Sequence, residues 1–322
     1  MKEKIKRQTK MAKETKSNNS NLSKAKKAKD DEFYTQLFDI ENEIKHYKEH
    51  FRDKIVYCNC DDPEWSNFFI YFKNNFNHLG LKKLISTHYS LNIEKDKAYK
   101  LECVEYSIDE NGTPKETKSY LDGNGDFRSQ ECINLLEESD IVCTNPPFSL
   151  FREYIAQLME YDKKFLIIGS MNAITYKETF NLIMNEKIWL GNTNVKKFRK
   201  PNGEIKNFGN ICWYTNLSHK KRNEEIILWK EYNEEEYPLY DNYNAIEVSK
   251  VANIPKDYNG YMAVPITFLE KFNPHQFMIC DANNIKTNKD IKNKPHGLIK
   301  DKEGTVNGKI KYVRFIIKRI NK

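Results

Sequence analysis

The chain has 322 residues, with 53 Lys or Arg, 46 Asp or Glu and seven scattered cysteines. That length suffices for one large α/β domain plus an appended region, and the absence of any run of about 18 apolar residues excludes a membrane-spanning helix. With no apolar leader, no CxxC pair and no Cys/His cluster at zinc spacing, a cytoplasmic protein with reduced thiols and no metal site is expected.

The positive charge sits at the ends. Residues 1–30 carry 11 basic against 3 acidic side chains and residues 286–322 carry 12 against 3, leaving a body of 30 basic and 40 acidic residues. Basic ends on an acidic body suit a polyanionic partner held by those ends. Residues 1–30, rich in Lys, Ser and Asn, read as a disordered basic tail.

Order is expected from about Asp31. Residues 34–51 show helical spacing through Tyr34, Leu37, Ile40, Ile44, Tyr47 and Phe51, and Lys54 to Cys58 reads as a first strand. Pro63 is expected to open a helix with the aromatic face Trp65, Phe68, Phe69 and Phe72, capped by Asp61 or Asp62. A second strand follows at Lys83–His88, then a hairpin from Tyr99 turning through Asn111-Gly112, a short helix at Glu131–Glu138, and the apolar strand Asp140–Thr144. Beyond it come a helix from Ser149 to about Tyr161, a fully apolar strand at Lys164–Gly169, a helix at Thr175–Glu186, and strands near Ile188–Leu190 and Ile211–Tyr214. Strands alternating with helices predict a mostly parallel, doubly wound sheet, whose ligands bind at the strands' carboxyl ends.

At one such end stands Asn145-Pro146-Pro147-Phe148. An exocyclic amine is a poor nucleophile because its lone pair is delocalised into the ring. Two acceptors on its N–H bonds draw the nitrogen towards a tetrahedral shape and free that pair. Asn145 offers a side-chain carbonyl and Pro146 a main-chain carbonyl, which Pro147 aims by restricting the backbone before it. Phe148 can stack on a base swung out of its helix. This pattern points to methyl transfer onto a nucleobase, with S-adenosylmethionine as the activated donor.

The donor side is less regular. The turn after the first strand, Cys58-Asn59-Cys60-Asp61-Asp62-Pro63, lacks the glycines usual in doubly wound methyltransferases, so Asp61 and Asp62 are candidates for contacts to the donor. Asp122-Gly123-Asn124-Gly125-Asp126-Phe127 begins like a calcium loop, but Phe127 and Ile133 occupy positions that need glycine and glutamate. Asp126 is either an acceptor for the donor's adenine amine or part of an ordinary turn.

Together these segments resemble the EcoRI-type adenine-N6 DNA methyltransferases. The resemblance rests on Asp31-Glu32-Phe33-Tyr34-Thr35-Gln36, Val56 to Pro63, Gly125 to Ser129, Thr144 to Tyr154, Asp162 to Ile168, Asp257 to Gly260 and Val264 to Leu269. It implies a Rossmann-like S-adenosylmethionine-dependent fold and methylation of N6 of a flipped-out adenine in double-stranded DNA, by a monomer within restriction–modification. Asn145, Pro146 and Phe148 are then catalytic, and Phe33, Tyr34, Thr35, Cys58, Asn59, Asp61, Asp126 and Phe127 border the donor. The implied organisation is a tail at 1–30, a catalytic domain at 31–219 and a DNA-recognition region at 220–322 packed on it.

Two basic segments are candidates for phosphate contact: Lys196, Lys197 and Arg199, in a short and compressed loop region, and Lys309, Lys311 and Arg314, in one strand over residues 308–319. That strand equally fits a lysine-blunted sheet edge. A methyltransferase acting on RNA or on a protein glutamine, or a non-catalytic nucleic-acid-binding module, are the alternatives.

Overall fold

The computed structural model describes residues 34–60, 62–109, 113–199, 204–282 and 304–320. The basic tail, Phe33, Asp61 and the Asn111-Gly112 turn lie outside them.

The apolar runs form the centre of a nine-stranded sheet. β2 (Ile55–Cys58), β3 (Lys83–Thr87), β6 (Ile141–Thr144) and β7 (Lys164–Ser170) run parallel in the spatial order β7-β6-β2-β3. They are buried on both faces, which is why their sequences are nearly all apolar. Along each strand alternate residues serve opposite layers. Tyr57, Val142, Phe165 and Ile167 meet α4 (Gln130–Glu138), α5 (Phe151–Glu160) and α6 (Lys177–Met184). Val56, Cys58, Ile141, Cys143, Leu166 and Ile168 meet α1 (Leu37–Ile44) and α2 (Asn67–Asn74), with α3 (Phe76–Leu79) beyond. Gly169 is required here, since a Cβ would stand 2.4 Å from the Phe151 ring.

The expectation of a mostly parallel sheet holds only for this centre. β4 (Tyr99–Ile108) and β5 (Pro114–Tyr120) add an antiparallel hairpin beside β3. On the other side β9 (Ile205–Thr215), β8 (Trp189–Arg199) and the two-residue β1 (Tyr34–Thr35) are all antiparallel to their neighbours. Two local expectations also change. Tyr34 belongs to β1 rather than to a helix, because it pairs with Arg199. Ser66 caps α2, its Oγ accepting from the Phe68 N–H at 3.1 Å, while Asp62 closes a turn by accepting from the Glu64 N–H.

Residues 191–199 and 205–210 are strand rather than loop. Val195 pairs with Ile211, and Ile211 with Ser170 at the end of β7, so the β8–β9 hairpin beyond them overhangs the carboxyl edge of the sheet. Buried Glu43 anchors its base. Its carboxyl oxygens accept from the Asn192 and Thr193 N–H groups and the Thr193 hydroxyl at 2.7 Å each, and from the Tyr47 hydroxyl at 2.8 Å.

The C-terminal part builds a second sheet, in the order β10 (Ile246–Glu247), β11 (Met262–Pro265), β15 (Arg314–Arg319), β12 (Phe277–Ala282). β13 (Thr305–Val306) and β14 (Lys309–Ile310) form a separate ribbon. Ile246, Val264, Phe277, Phe315 and Ile317 join the core under α5 and α6, where Phe315 stacks on Phe180 with ring centroids 5.4 Å apart. β15 lies between β11 and β12, which corrects the edge-strand reading: residues 314–319 are interior because their apolar side chains are needed in that core. No helix among the described residues is long and apolar enough to cross a membrane.

Candidate active site

Three strand ends converge at the carboxyl edge: Asn59 after β2, His88 after β3 and Asn145 after β6. Thr144 Oγ1 accepts from the Cys60 N–H at 3.2 Å, tying the Asn-Pro-Pro-Phe segment to the turn after β2. Pro146 is buried, and Asn145, Pro147 and Phe148 are half-buried. Pro147 (φ −57°, ψ 123°) precedes the single 3-10 turn Phe148–Leu150, so the chain bends sharply from strand into α5 with Phe148 at the bend. There Phe148 packs edge-on against Phe198 of the overhanging hairpin, with centroids 6.3 Å apart. Phe198 is fully buried and in register with Thr35. The tertiary structure thus gathers β1, β6 and the hairpin around one aromatic ring.

Thr35 and Asn59 are buried polar residues on the neighbouring segments, each only 3% exposed. The Thr35 carbonyl accepts from Asn67 Nδ2 at 2.6 Å, and Asn59 Oδ1 accepts from the Tyr154 hydroxyl at 2.5 Å. Thr35 Oγ1 and Asn59 Nδ2 have no hydrogen-bond partner among the described residues. Leaving a buried polar group unsatisfied costs about 1–3 kcal/mol. Two such atoms beside the strand ends fit a site that binds a polar ligand.

The remaining predicted residues divide. Cys58 is fully buried in the apolar layer under α1 and α2, and its carbonyl accepts from Ser86 Oγ at 3.1 Å, so its side chain is a packing group. Phe127, 5% exposed, packs edge-on against Tyr154 and so supports the Tyr154–Asn59 bond from behind. Both oxygens of Asp126 accept from Arg128: Oδ1 from its N–H and Nε at 2.9 and 2.8 Å, Oδ2 from its guanidinium at 2.7 Å. These bonds hold the Asp126 carboxyl below its usual range and favour the turn reading over that of an acceptor for adenine. Lys196 and Lys197 are exposed on the overhanging hairpin, with Arg199 at the end of β8.

The second basic segment is not one strand. Lys309 is exposed on β14 and Lys311 half-buried beyond it. Arg314 begins β15 and is committed elsewhere. Its Nε and Nη2 lie 3.1 and 2.8 Å from Oε1 of Glu247, itself 6% exposed, so Arg314 is a structural ion-pair partner rather than a phosphate contact.

Sequence reading missed His88, Asp96 and Tyr154 as neighbours of this site, and placed Asp62 beside the donor without its histidine partner. His88 Nδ1 is 2.9 Å from Asp62 Oδ2, and its Nε2 is 2.7 Å from Asp96 Oδ2. The one available signal was a histidine ending a strand beside the site, but nothing in the sequence linked it to two carboxylates.

The parallel centre, with Asn145-Pro146-Pro147-Phe148 at a central strand's end, is consistent with a methyltransferase fold. Comparison with known proteins specifies the group. The family described as adenine-specific methyltransferase EcoRI matches residues 21–320. Over 93% of its length and 96% of the relative's, the chain is 50% identical to the Type II methyltransferase M.EcoRI of Escherichia coli. It is 39% identical to M.MgeORF184P of Mycoplasma genitalium, covering 92% and 98% of the two chains, and 38% identical to M.MpnI of Mycoplasma pneumoniae over the same shares. No solved structure matches at a significant level. The chain belongs to the EcoRI family of adenine-specific methyltransferases.

Proposed function

We propose that this chain moves a methyl group from S-adenosylmethionine to N6 of an adenine swung out of duplex DNA, with the Asn145 side chain and the Pro146 carbonyl as the two acceptors on the amine. Membership of the family makes it an adenine-specific DNA methyltransferase of a restriction–modification system. The observation that carries the mechanism is the bend at Asn145–Phe148, at the carboxyl end of a central strand and against the overhanging hairpin.

The donor would be held by Thr35, Asn59 and the residues around them, whose buried Oγ1 and Nδ2 fit its polar groups. When bound it supplies an activated methyl sulfonium. The protein's part is alignment and lone-pair release, and alignment alone can supply about 7–11 kcal/mol of barrier reduction. Phe148 stacks on the extruded base. Lys196 and Lys197 would grip phosphates beside that base, with Lys309 and Lys311 as a second contact from the C-terminal region. In this reading the protein acts as a cytoplasmic monomer, and residues 220–322 read DNA while packed on the catalytic sheet.

Incubating the protein with labelled S-adenosylmethionine and DNA, RNA or protein tests the substrate class. Label is expected in DNA alone, on adenine N6; label in RNA or protein overturns the reading. Phe148→Ala is expected to weaken capture of the extruded base by about 1–3 kcal/mol, as stacking implies. Fluorescence of 2-aminopurine at the target position would report it, and unchanged fluorescence would remove Phe148 from the base pocket. Replacing Lys196 and Lys197 by alanine should lower the slope of log affinity against log salt by about 0.9 per lysine for every DNA sequence. An unchanged slope would turn the hairpin away from DNA.

A further inference from the structure

We propose that the His88 imidazolium, hydrogen-bonded to Asp62 and Asp96 at once, is a positioning residue that holds the methyl-donor pocket in its binding shape. The inference rests on the donor lying at this strand edge, as proposed above.

The geometry selects the protonation state. A neutral imidazole has one N–H, so one nitrogen would turn a lone pair towards a carboxylate oxygen. Only the imidazolium donates to Asp62 at 2.9 Å and Asp96 at 2.7 Å together. The ring is 9% exposed and lies flat on Tyr99 of β4, with centroids 4.9 Å apart and planes at 23°. Lys118 of β5 covers the Tyr99 ring at 3.6 Å and pairs with Glu64. The main chain of His88 is clasped as closely. Gly125, at φ +75°, brings the 122–127 loop so near that a Cβ there would stand 2.2 Å from the His88 carbonyl oxygen. The Ser90 N–H donates to the Asn124 carbonyl at 2.8 Å.

Three segments therefore meet on one residue: the turn after β2 through Asp62 and the loop after β3 through Asp96 on its ring, and the loop after β5 through Gly125 on its main chain. The first continues from Asn59, whose buried Nδ2 is proposed above as a donor contact. The charged and titratable groups around His88 are Asp62, Asp96, Glu64, Tyr99 and Lys118, with Asp126 nearby but neutralised by Arg128. The bond to the better-shielded Asp62 is the largest influence raising the His88 pKa above its ordinary value, with burial opposing it and the bond to Asp96 adding to it. A raised pKa means the bridge is complete at and below the ordinary imidazole range and is lost as pH rises through the raised value. Above that value Asp62 or Asp96 is released and the turn after β2 loosens.

The test uses the full chain without DNA. The dissociation constant of S-adenosylmethionine is measured calorimetrically from pH 6 to 9 for the wild type, His88→Gln and Asp96→Asn, and the His88 ring is titrated by NMR. The donor's own amino group also titrates in this range, so the difference between wild type and His88→Gln carries the result. Wild type should lose affinity above the break more steeply than His88→Gln, by up to about tenfold per pH unit for one linked proton. Asp96→Asn, which keeps the histidine, should move the break to lower pH. NMR should find the ring titrating above about 6.5. A ring titrating at or below that value, or identical pH profiles for wild type and His88→Gln, overturns the proposal. If no donor binds at any pH, the donor-site reading fails instead, and the NMR titration still decides the bridge.

Discussion

Replacing Asn145 with alanine is expected to lower kcat by about a hundred- to a thousandfold, the loss typical when one preorganised polar contact to a transition state is removed. The side-chain carbonyl contributes where charge builds on the amine as the methyl arrives, so the loss should fall on kcat more than on binding. Donor and DNA affinities should stay within a few-fold of the wild type, because phosphate contacts supply most of the affinity for duplex. Asn145→Asp is the sharper probe, since it keeps an acceptor of the same shape beside a nitrogen that gains positive charge as the methyl arrives, and it should lose less activity than alanine. Single-turnover methylation with saturating DNA separates the chemical step from product release. An Asn145→Ala protein within a few-fold of the wild-type single-turnover rate would remove the two-acceptor grip as the source of catalysis.

The second large effect is expected at Glu43, far in sequence from the reacting atoms. Its carboxyl group is fully buried and accepts four hydrogen bonds, from Tyr47, the Asn192 N–H, and the Thr193 N–H and hydroxyl. Alanine would strand these donors in the protein interior. The penalty for breaking a buried polar network by removing one member is about 3–5 kcal/mol. In thermal unfolding that corresponds to a fall in Tm of roughly 5–10 °C for a protein of this size. Glu43→Gln, which keeps one acceptor, should fall between wild type and alanine.

The same substitution should reach the active site. The stranded N–H groups lie in the bulged segment between the Leu190–Tyr214 and Asn194–Cys212 pairs, from which the overhanging hairpin springs. Phe198 on that hairpin braces Phe148 and is in register with Thr35. Weakened base capture is therefore expected in Glu43→Ala at temperatures where the protein is still folded. A protein with lowered Tm but wild-type base capture would show that the hairpin holds its place without Glu43.

The sequence by itself determined the central strands, because strands buried on both faces must be apolar along their whole length. It also determined the strand-end tetrapeptide, whose two prolines carry a local conformational preference wherever they stand. The hairpin at Tyr99 and the helices at Gln130, Phe151 and Lys177 were legible for the same reason, since capping and periodicity act over a few residues, whereas the helix expected from Pro63 starts only at Asn67.

What only the tertiary structure decided is everything that depends on residues far apart meeting. The basic segment around Lys196 looked like a loop because its polar residues alternate with few apolar ones. Its strand character comes from pairing with β9 and β1 and from Glu43, some 150 positions upstream. Arg314 read as a phosphate ligand by its charge, yet a partner 67 positions away makes it an internal ion pair. Cys58 and Phe127 pack into the layers beneath the site, Cys58 because a strand turns successive side chains to opposite faces and Phe127 because the turn before α4 lays it against Tyr154. His88 was legible only as a histidine at a strand end, because its two carboxylate partners arrive from separate loops. Short-range conformational preference is written residue by residue, whereas hydrogen-bond partners across the fold are set by the register of the sheet.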